Sequence, residues 1–141
     1  MEKNRKLRKK LLAVSVLSVL LLTGLTVNAA SIGTFTYEMS VAVYGKTKFS
    51  LSNKSTTVKT TGTTYSYATD NKTTSQNYKV ALHKVNSSGT FKTAGAADGT
   101  TKSVSFGTVS SGSYNVDLMV SNPQSSGSVS WYIKGSGSVN Q

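Results

Sequence analysis

The residues of this 141-residue chain that could do chemistry are few, and most are isolated. His83 is the single histidine, and no serine in a nucleophile pattern and no acidic partner stand near it in the sequence. Alternation places it on the strand face opposite Leu82, so we expect His83 to face solvent. A histidine without partners is a poor general base, and the sequence therefore predicts no catalytic residue.

Beyond residue 30 the chain has only four carboxylates, which are Glu38, Asp70, Asp98 and Asp117. We expect Glu38 and Asp117 on outward strand faces. They could form the facing carboxylate pair of a glycosidase only if their strands were neighbours. The predicted turns at 70–71 and 98–99 could each give one or two oxygen ligands to a calcium ion, but a calcium site needs more oxygen ligands than that. The chain has no cysteine, and we predict neither a metal nor a cofactor.

Tyrosines make the better case for a binding site, because each ring joins an apolar body to a polar tip. Alternation places Trp131 in the core and Tyr132 outward, while Tyr44, Tyr65 and Tyr67 are expected to be partly exposed. A row of outward tyrosines is a surface on which a sugar-binding module stacks a glycan. The simpler interpretation is that these rings cover sheet edges or fill loops. The four tyrosines are the predicted ligand-binding residues.

The elements that position these residues are strands, since apolar and polar residues alternate along most of the chain. One long strand is predicted from Phe35 to Val43, and others at 46–52, 77–85, 90–94, 103–109, 113–121 and 128–134. The segment 55–74 is nearly all Thr, Ser, Lys and Tyr. We expect only weak strands there, around Val58 and around Tyr65, with a register that can slip. Asp98-Gly99 is expected to form a tight turn.

About eight short strands without helical periodicity predict an all-β fold: an antiparallel β-sandwich or jelly-roll-like domain over residues 31–141. A small β-barrel is the alternative. The stretch from Phe106 to Leu118, with its Gly112-Ser113-Tyr114 step, resembles the closing hairpin of many secreted bacterial sandwiches, for example pre-peptidase C-terminal modules. The resemblance implies that a core strand follows the turn at 110–112.

The first 30 residues have the three-part pattern of a secretory signal peptide. Six Lys or Arg residues stand among the first ten, an apolar run follows from Leu11 to Leu25, and small residues close the segment. The apolar run is short, because a membrane span needs roughly 20 residues. We therefore predict cleavage after Ala29 or Ala30, and a bacterial protein that is secreted or held non-covalently at the cell surface, with no stable membrane span after cleavage.

Removal of this segment lowers the formal net charge from +11 to +6, because six cations and Glu2 are lost. Every remaining cation is a lysine. Evenly spread lysines are typical of solvated strand faces and edges, although they also attract polyanions such as teichoic acid. Nucleic acid is not favoured as a partner, because no arginine remains and no aromatic-basic motif is present.

Three functional hypotheses from different classes remain open. The first is a secreted, non-catalytic binding or surface-associated structural module that contacts cell-wall polymers or glycans through lysines and exposed tyrosines. The second is a bacteriocin-like protein that acts on neighbouring cells, which small size, positive charge and export would suit. The third is a secreted enzyme or enzyme inhibitor.

Overall fold

The computed structural model describes residues 29–123 and 129–141, and in these ranges it contains nine β-strands and no helix. The predicted signal peptide up to residue 28 and most of the predicted loop 122–127 lie outside the described residues. The strands are β1 (Ser31–Met39), β2 (Ala42–Tyr44), β3 (Phe49–Leu51), β4 (Lys54–Ser66), β5 (Asn77–Lys84), β6 (Lys92–Ala96), β7 (Asp98–Val109), β8 (Gly112–Val120) and β9 (Trp131–Asn140).

The strands form two antiparallel sheets that pack face to face. Sheet A has the order β1-β9-β4-β7, and sheet B has the order β2-β8-β5-β6, with β3 also paired to β8. Each sheet keeps two free edges, so the fold is the predicted β-sandwich and not the barrel alternative. The core strand implied by the resemblance is β8, which begins at Gly112.

The core between the sheets is built largely from the residues that alternation placed inward. The buried residues predicted correctly are Tyr37, Met39, Phe49, Leu51, Tyr78, Val80, Leu82, Val104, Tyr114, Val116, Leu118, Val120, Trp131 and Ile133. Phe106 is only partly buried, and the ammonium group of Lys92 lies 5.0 Å from the centre of its ring.

The long strand predicted from Phe35 to Val43 is two strands in different sheets. β1 pairs with β9 in sheet A, and β2 pairs with β8 in sheet B. The chain changes sheet at residues 40–41, which leaves Val41 exposed while Val43 packs against the core. The alternation continues across the break because both strands face the same core, so the sequence pattern contains no sign of it.

The segment predicted to be weakest is the longest strand, β4, which is paired on both sides by β7 and β9. Its inward face is formed by Thr56, Val58, Thr60, Gly62 and Thr64, all of them buried. Threonine is β-branched and fits a pleated surface as well as valine does. The prediction of only weak strands was wrong, because it counted these threonines as polar surface residues. The pairing of β4 with β7 does shift register twice, between Thr56 and Thr57 and between Thr61 and Thr63.

Hydrogen bonds make the buried threonines of β4 compatible with the core. The Thr60 hydroxyl lies 2.7 Å from the Tyr78 hydroxyl of sheet B. The Thr64 hydroxyl accepts a bond from the Gln76 amide at 3.0 Å and donates one to the Ala97 carbonyl at 3.2 Å. These bonds tie β4 to sheet B and to the segment that joins β6 to β7.

We expect Thr60→Val to lower the free energy of unfolding by about 1–3 kcal/mol, because it leaves the Tyr78 hydroxyl buried without this partner. Tyr78→Phe should cost a similar amount. The double variant removes both polar groups and should lose less than the sum of the single losses. Urea unfolding of the four proteins measures the coupling. Strictly additive losses would show that this bond does not tie β4 to sheet B.

Strand β9 extends to Asn140, well past its predicted end at Lys134, and it lies between β1 and β4 in the middle of sheet A. Its inward positions 135 and 137 are glycines. A glycine adds no apolar side chain to an alternation pattern, so the sequence 135–140 was not recognised as a strand.

Aromatic rings of β1 cover these glycines. A Cβ atom on Gly135 would lie 2.8 Å from the Tyr37 ring and 2.2 Å from the Thr61 carbonyl oxygen. A Cβ atom on Gly137 would lie 2.4 Å from the Phe35 ring. The rings occupy the space of the missing side chains, which restores apolar contact over a weak stretch of strand.

We expect Gly135→Ala to destabilise the protein by about 3 kcal/mol or more, because the added methyl group meets backbone and ring atoms that cannot both move away. Ser136→Ala is the matched control, since Ser136 is its exposed neighbour on the same strand. That control should change the free energy of unfolding by less than about 0.5 kcal/mol. Equal losses in urea unfolding would contradict the close approach described above.

The Asp98-Gly99 pair starts strand β7 and is not the tight turn predicted for it. Gly99 has a φ of +88°, and the pairing of β4 with β7 shifts register between Thr61 and Thr63, which is a β-bulge. Hydrogen bonds from the hydroxyl and amide of Thr100, and from Lys102, lower the pKa of the Asp98 carboxyl. Asp98 therefore organises the beginning of a sheet A edge strand.

Candidate functional site

Three of the four predicted tyrosines come together on the outer face of sheet A. Tyr65 of β4 and Tyr132 of β9 are direct cross-strand partners, and their rings stack with centroids 5.5 Å apart and an interplanar angle of 22°. Tyr67 follows the end of β4 and places a third ring 5.0 Å from that of Tyr132. We name Tyr65, Tyr67 and Tyr132 the tyrosine cluster.

The tyrosine cluster is accessible to solvent, and hydrogen bonds to neighbouring segments of the chain hold it in place. Tyr67 is 55% exposed, and the other two rings are half-buried. The Tyr67 hydroxyl donates to the Ser40 hydroxyl at 3.2 Å, and its amide donates to the Ser130 carbonyl at 2.9 Å. The ring that is most exposed is therefore fixed to both neighbouring chain segments.

Asp70 orients the central ring of the cluster. The Tyr132 hydroxyl donates a hydrogen bond to the Asp70 carboxylate, and this bond raises the pKa of Tyr132 from 10.0 to about 12. Asp70 is held in the turn after β4 by its amide bond to the Ser66 carbonyl and has the left-handed φ of 57°. The sequence predicted the turn correctly but gave no sign that its carboxylate reaches Tyr132.

The contact between Tyr132 and Asp70 predicts a loss of stability at high pH. Because the folded-state pKa lies above the usual value, the stabilisation is complete below pH 10 and declines as the pH rises towards 12. Asp70→Asn should bring the titration of Tyr132 back towards that usual value. NMR of tyrosine-labelled protein, with Tyr132 assigned from a Tyr132→Phe variant, measures it. An unchanged titration in Asp70→Asn would contradict the contact.

Tyr44 does not belong to the tyrosine cluster. It lies on β2 in sheet B and is 70% exposed. Tyr44 lines a cavity of about 280 Å³ between the free edges of the two sheets, and the other apolar residues of the lining include Phe35, Val43 and Phe49. The sequence identified Tyr44 as exposed but could not show that it lies apart from the other three rings.

Next to the tyrosine cluster, the outer face of sheet A presents polar residues in three cross-strand rows. The first row has three charged residues and one threonine. The next two consist of Ser and Thr with a single lysine, and we name these two the hydroxyl rows. In the order β1, β9, β4, β7 the rows are Glu38-Lys134-Thr63-Asp98, Thr36-Ser136-Thr61-Thr101 and Thr34-Ser138-Lys59-Ser103.

The outer face of sheet B, in contrast, is covered at its centre by the segment 45–47. The Gly45 amide donates to Asp117 Oδ1 at 3.0 Å, and the side-chain amide of Asn115 donates to the Gly45 and Thr47 carbonyls at 3.0 Å each. A Cβ atom on Gly45 would lie 2.1 Å from the Val116 carbonyl oxygen, so only glycine permits this close approach. In the part of the chain that the structure describes, the sheet with the open outer face is therefore sheet A.

The surroundings of His83 and Asp117 on sheet B contradict the sequence predictions for both residues. His83 is half-buried, not solvent-facing, and its Nε2 lies 3.0 Å from Asp117 Oδ2, so it does have an acidic partner. Asp117 is buried beneath residues 45–47, although its strand face is the outward one. Glu38 is on the outer face of sheet A, so the two carboxylates lie on opposite sides of the sandwich. These positions do not form the facing pair of a glycosidase.

Within residues 29–123 and 129–141, no three His, Asp or Glu side chains lie close enough together to hold a metal ion. The same ranges contain no helix that is long and apolar enough to cross a membrane. Ala29 and Ala30, at the predicted cleavage position, are exposed directly before β1. Ala30 exchanges two backbone hydrogen bonds with Gln141, at 2.8 and 3.0 Å, so cleavage after Ala29 would keep this pair in the mature chain.

No protein-family model matches the chain, and no curated protein matches it. Among solved structures, it is similar to the CBM22-1–GH10 modules of the N-terminal endo-1,4-β-D-xylanase 10B of Clostridium thermocellum, complexed with xylohexaose, with 8% identity and a TM-score of 0.40. The match covers 82% of this chain but 27% of that one, so this chain spans about a quarter of the structure it matches. The candidate site is therefore defined by the chain's own residues.

Proposed function

We propose that the protein is an exported, non-catalytic binding module that holds an extracellular glycan against the outer face of sheet A. The observation that supports this most directly is the tyrosine cluster, in which three rings meet on an open sheet surface. A pyranose ring has an apolar face of C–H groups and a polar rim of hydroxyls. Tyrosine offers a matching apolar ring and polar tip.

The surroundings of the tyrosine cluster favour a sugar over an apolar ligand. The rows beside it contain carboxylate, ammonium and hydroxyl groups, and apolar side chains are absent from these three rows. Hydroxyl side chains both donate and accept hydrogen bonds, as sugar hydroxyls do. A lipid or an apolar peptide would leave these groups without partners, which costs binding free energy.

The tyrosine cluster is also fixed before any ligand arrives. Tyr132 is bonded to Asp70 and stacked on Tyr65, while Tyr67 is bonded to Ser40. A ligand that stacks on these rings immobilises few free side chains, so little conformational entropy is lost on binding.

Export and a cell-wall ligand complete the proposal. The signal-peptide pattern of residues 1–30 supports delivery outside the cell. A cell-wall glycan would then retain the protein at the surface without a covalent bond, and the lysine-derived net charge of the mature chain would favour an anionic wall.

Retention of the purified mature protein on insoluble cell-wall polysaccharide tests the proposal. We expect Tyr132→Ala and Tyr65→Ala each to weaken binding at least about tenfold, which corresponds to about 1.4 kcal/mol. Tyr44→Ala is the matched control, because it removes an exposed tyrosine from sheet B and should leave retention unchanged.

Two outcomes would contradict the proposal. One is wild-type retention by the Tyr132→Ala protein, and the other is an equal loss on Tyr44→Ala, which would indicate non-specific adsorption. Urea unfolding of each variant separates loss of the site from loss of the fold. Tyr132→Phe keeps the ring but not its bond to Asp70, and it should fall between wild type and Tyr132→Ala.

A further inference from the structure

We infer that the glycan site continues from the tyrosine cluster along β4 and β9 to Lys59, and that its ligand is an extended chain with acidic groups. This inference rests on the proposed function, because it takes the tyrosine cluster as one end of the site. It adds the direction of the bound chain, its length and its charge.

The register of β4 and β9 sets the direction. Tyr65 pairs with Tyr132, and Lys59 pairs with Ser138, so the same two strands join the cluster to the second hydroxyl row. Six residues of strand separate the two ends, which is about 20 Å at roughly 3.3 Å per residue. A surface of this length suits an oligosaccharide and exceeds what a single sugar can contact.

The far end of this surface is a shallow, open groove. About 300 Å³ of solvent-open space lies over Lys59 and five hydroxyl side chains, which belong to Thr34, Thr61, Thr101, Ser136 and Ser138. The Thr61 and Thr101 hydroxyls are 3.0 Å apart, which shows how closely the donors and acceptors are spaced. Such a groove can bond to several hydroxyls of one chain at once.

Lys59 gives the groove its charge. Its side chain is exposed, and among the described residues it forms no ion pair, whereas Lys102 pairs with Asp98 at 3.0 Å. Lys134, the other lysine of the rows, stands opposite Glu38 in the register. Lys134 forms no ion pair among the described residues either, but Lys59 is the one lysine of the hydroxyl rows, and these two rows contain no carboxylate. An ammonium group among neutral hydroxyls favours an anionic substituent on the ligand, either phosphate or carboxylate.

Calorimetric titration with soluble oligosaccharides tests the inference. The ligands are a neutral series from disaccharide to hexasaccharide, and chains of matched length that have uronate or phosphate groups. We expect affinity to rise with length up to the span of the surface. Lys59→Gln should weaken binding of the acidic chains about fivefold to tenfold and leave the neutral chains unchanged. A stronger effect on one acidic series identifies phosphate or carboxylate as the natural group.

Lys48→Gln is the matched control, because it removes one exposed positive charge in the segment between β2 and β3. Equal effects of Lys48→Gln and Lys59→Gln would show that acidic chains respond only to the net positive charge of the protein. That result would overturn the role of Lys59. Binding that depends on Tyr132 but not on chain length or Lys59 would overturn this inference and leave the proposed function standing. Binding by all chains that is indifferent to Tyr132, or no binding by any, would overturn both.

Discussion

The register between β4 and β9 is the constraint on which the rest of the structure depends. It pairs Tyr65 with Tyr132 on the outside and Gly62 with Gly135 on the inside. A slip of one residue would exchange the two faces, so that the tyrosines would enter the core and the glycines would lose their cover. The candidate site and the core therefore lie on opposite faces of the same two strands.

Two features hold this register. The Thr60 hydroxyl bonds to Tyr78 of the opposite sheet, and the Tyr37 ring lies over both glycines. The second feature has a cost, since the Tyr37 hydroxyl is the one buried side-chain group of the described residues without a hydrogen-bond partner, and burial raises its pKa. An unpaired buried hydroxyl costs about 1–3 kcal/mol. The apolar contacts of the Tyr37 ring with Gly62 of β4 and Gly135 of β9 offset that cost.

Alternation of apolar and polar residues predicted β3, β5 and β8 of sheet B and most of the core, because each of these strands has one buried apolar face. It merged β2 of sheet B with β1 of sheet A. It failed for β4 and for the end of β9, where threonine and glycine take inward positions. It also failed for Asp117 and His83, since Gly45, far away in the sequence, bonds to Asp117, and Asp117 in turn pairs with His83. Exposed tyrosines could be predicted one by one, but their meeting depends on strand order, which places β9 beside β4 and β2 in the other sheet.

The difference between the two outer faces bears most directly on function. Sheet B buries Asn115 and Asp117 beneath its own loop, with hydrogen bonds that leave little of its centre free. Among residues 29–123 and 129–141, no loop covers the outer face of sheet A in this way. Exposed aromatic rings have a hydration cost that a cover would remove. The contrast between a covered sheet B and an open aromatic face on sheet A supports the proposal of an external partner at that face, and the polar rows beside the rings support a hydroxyl-rich one.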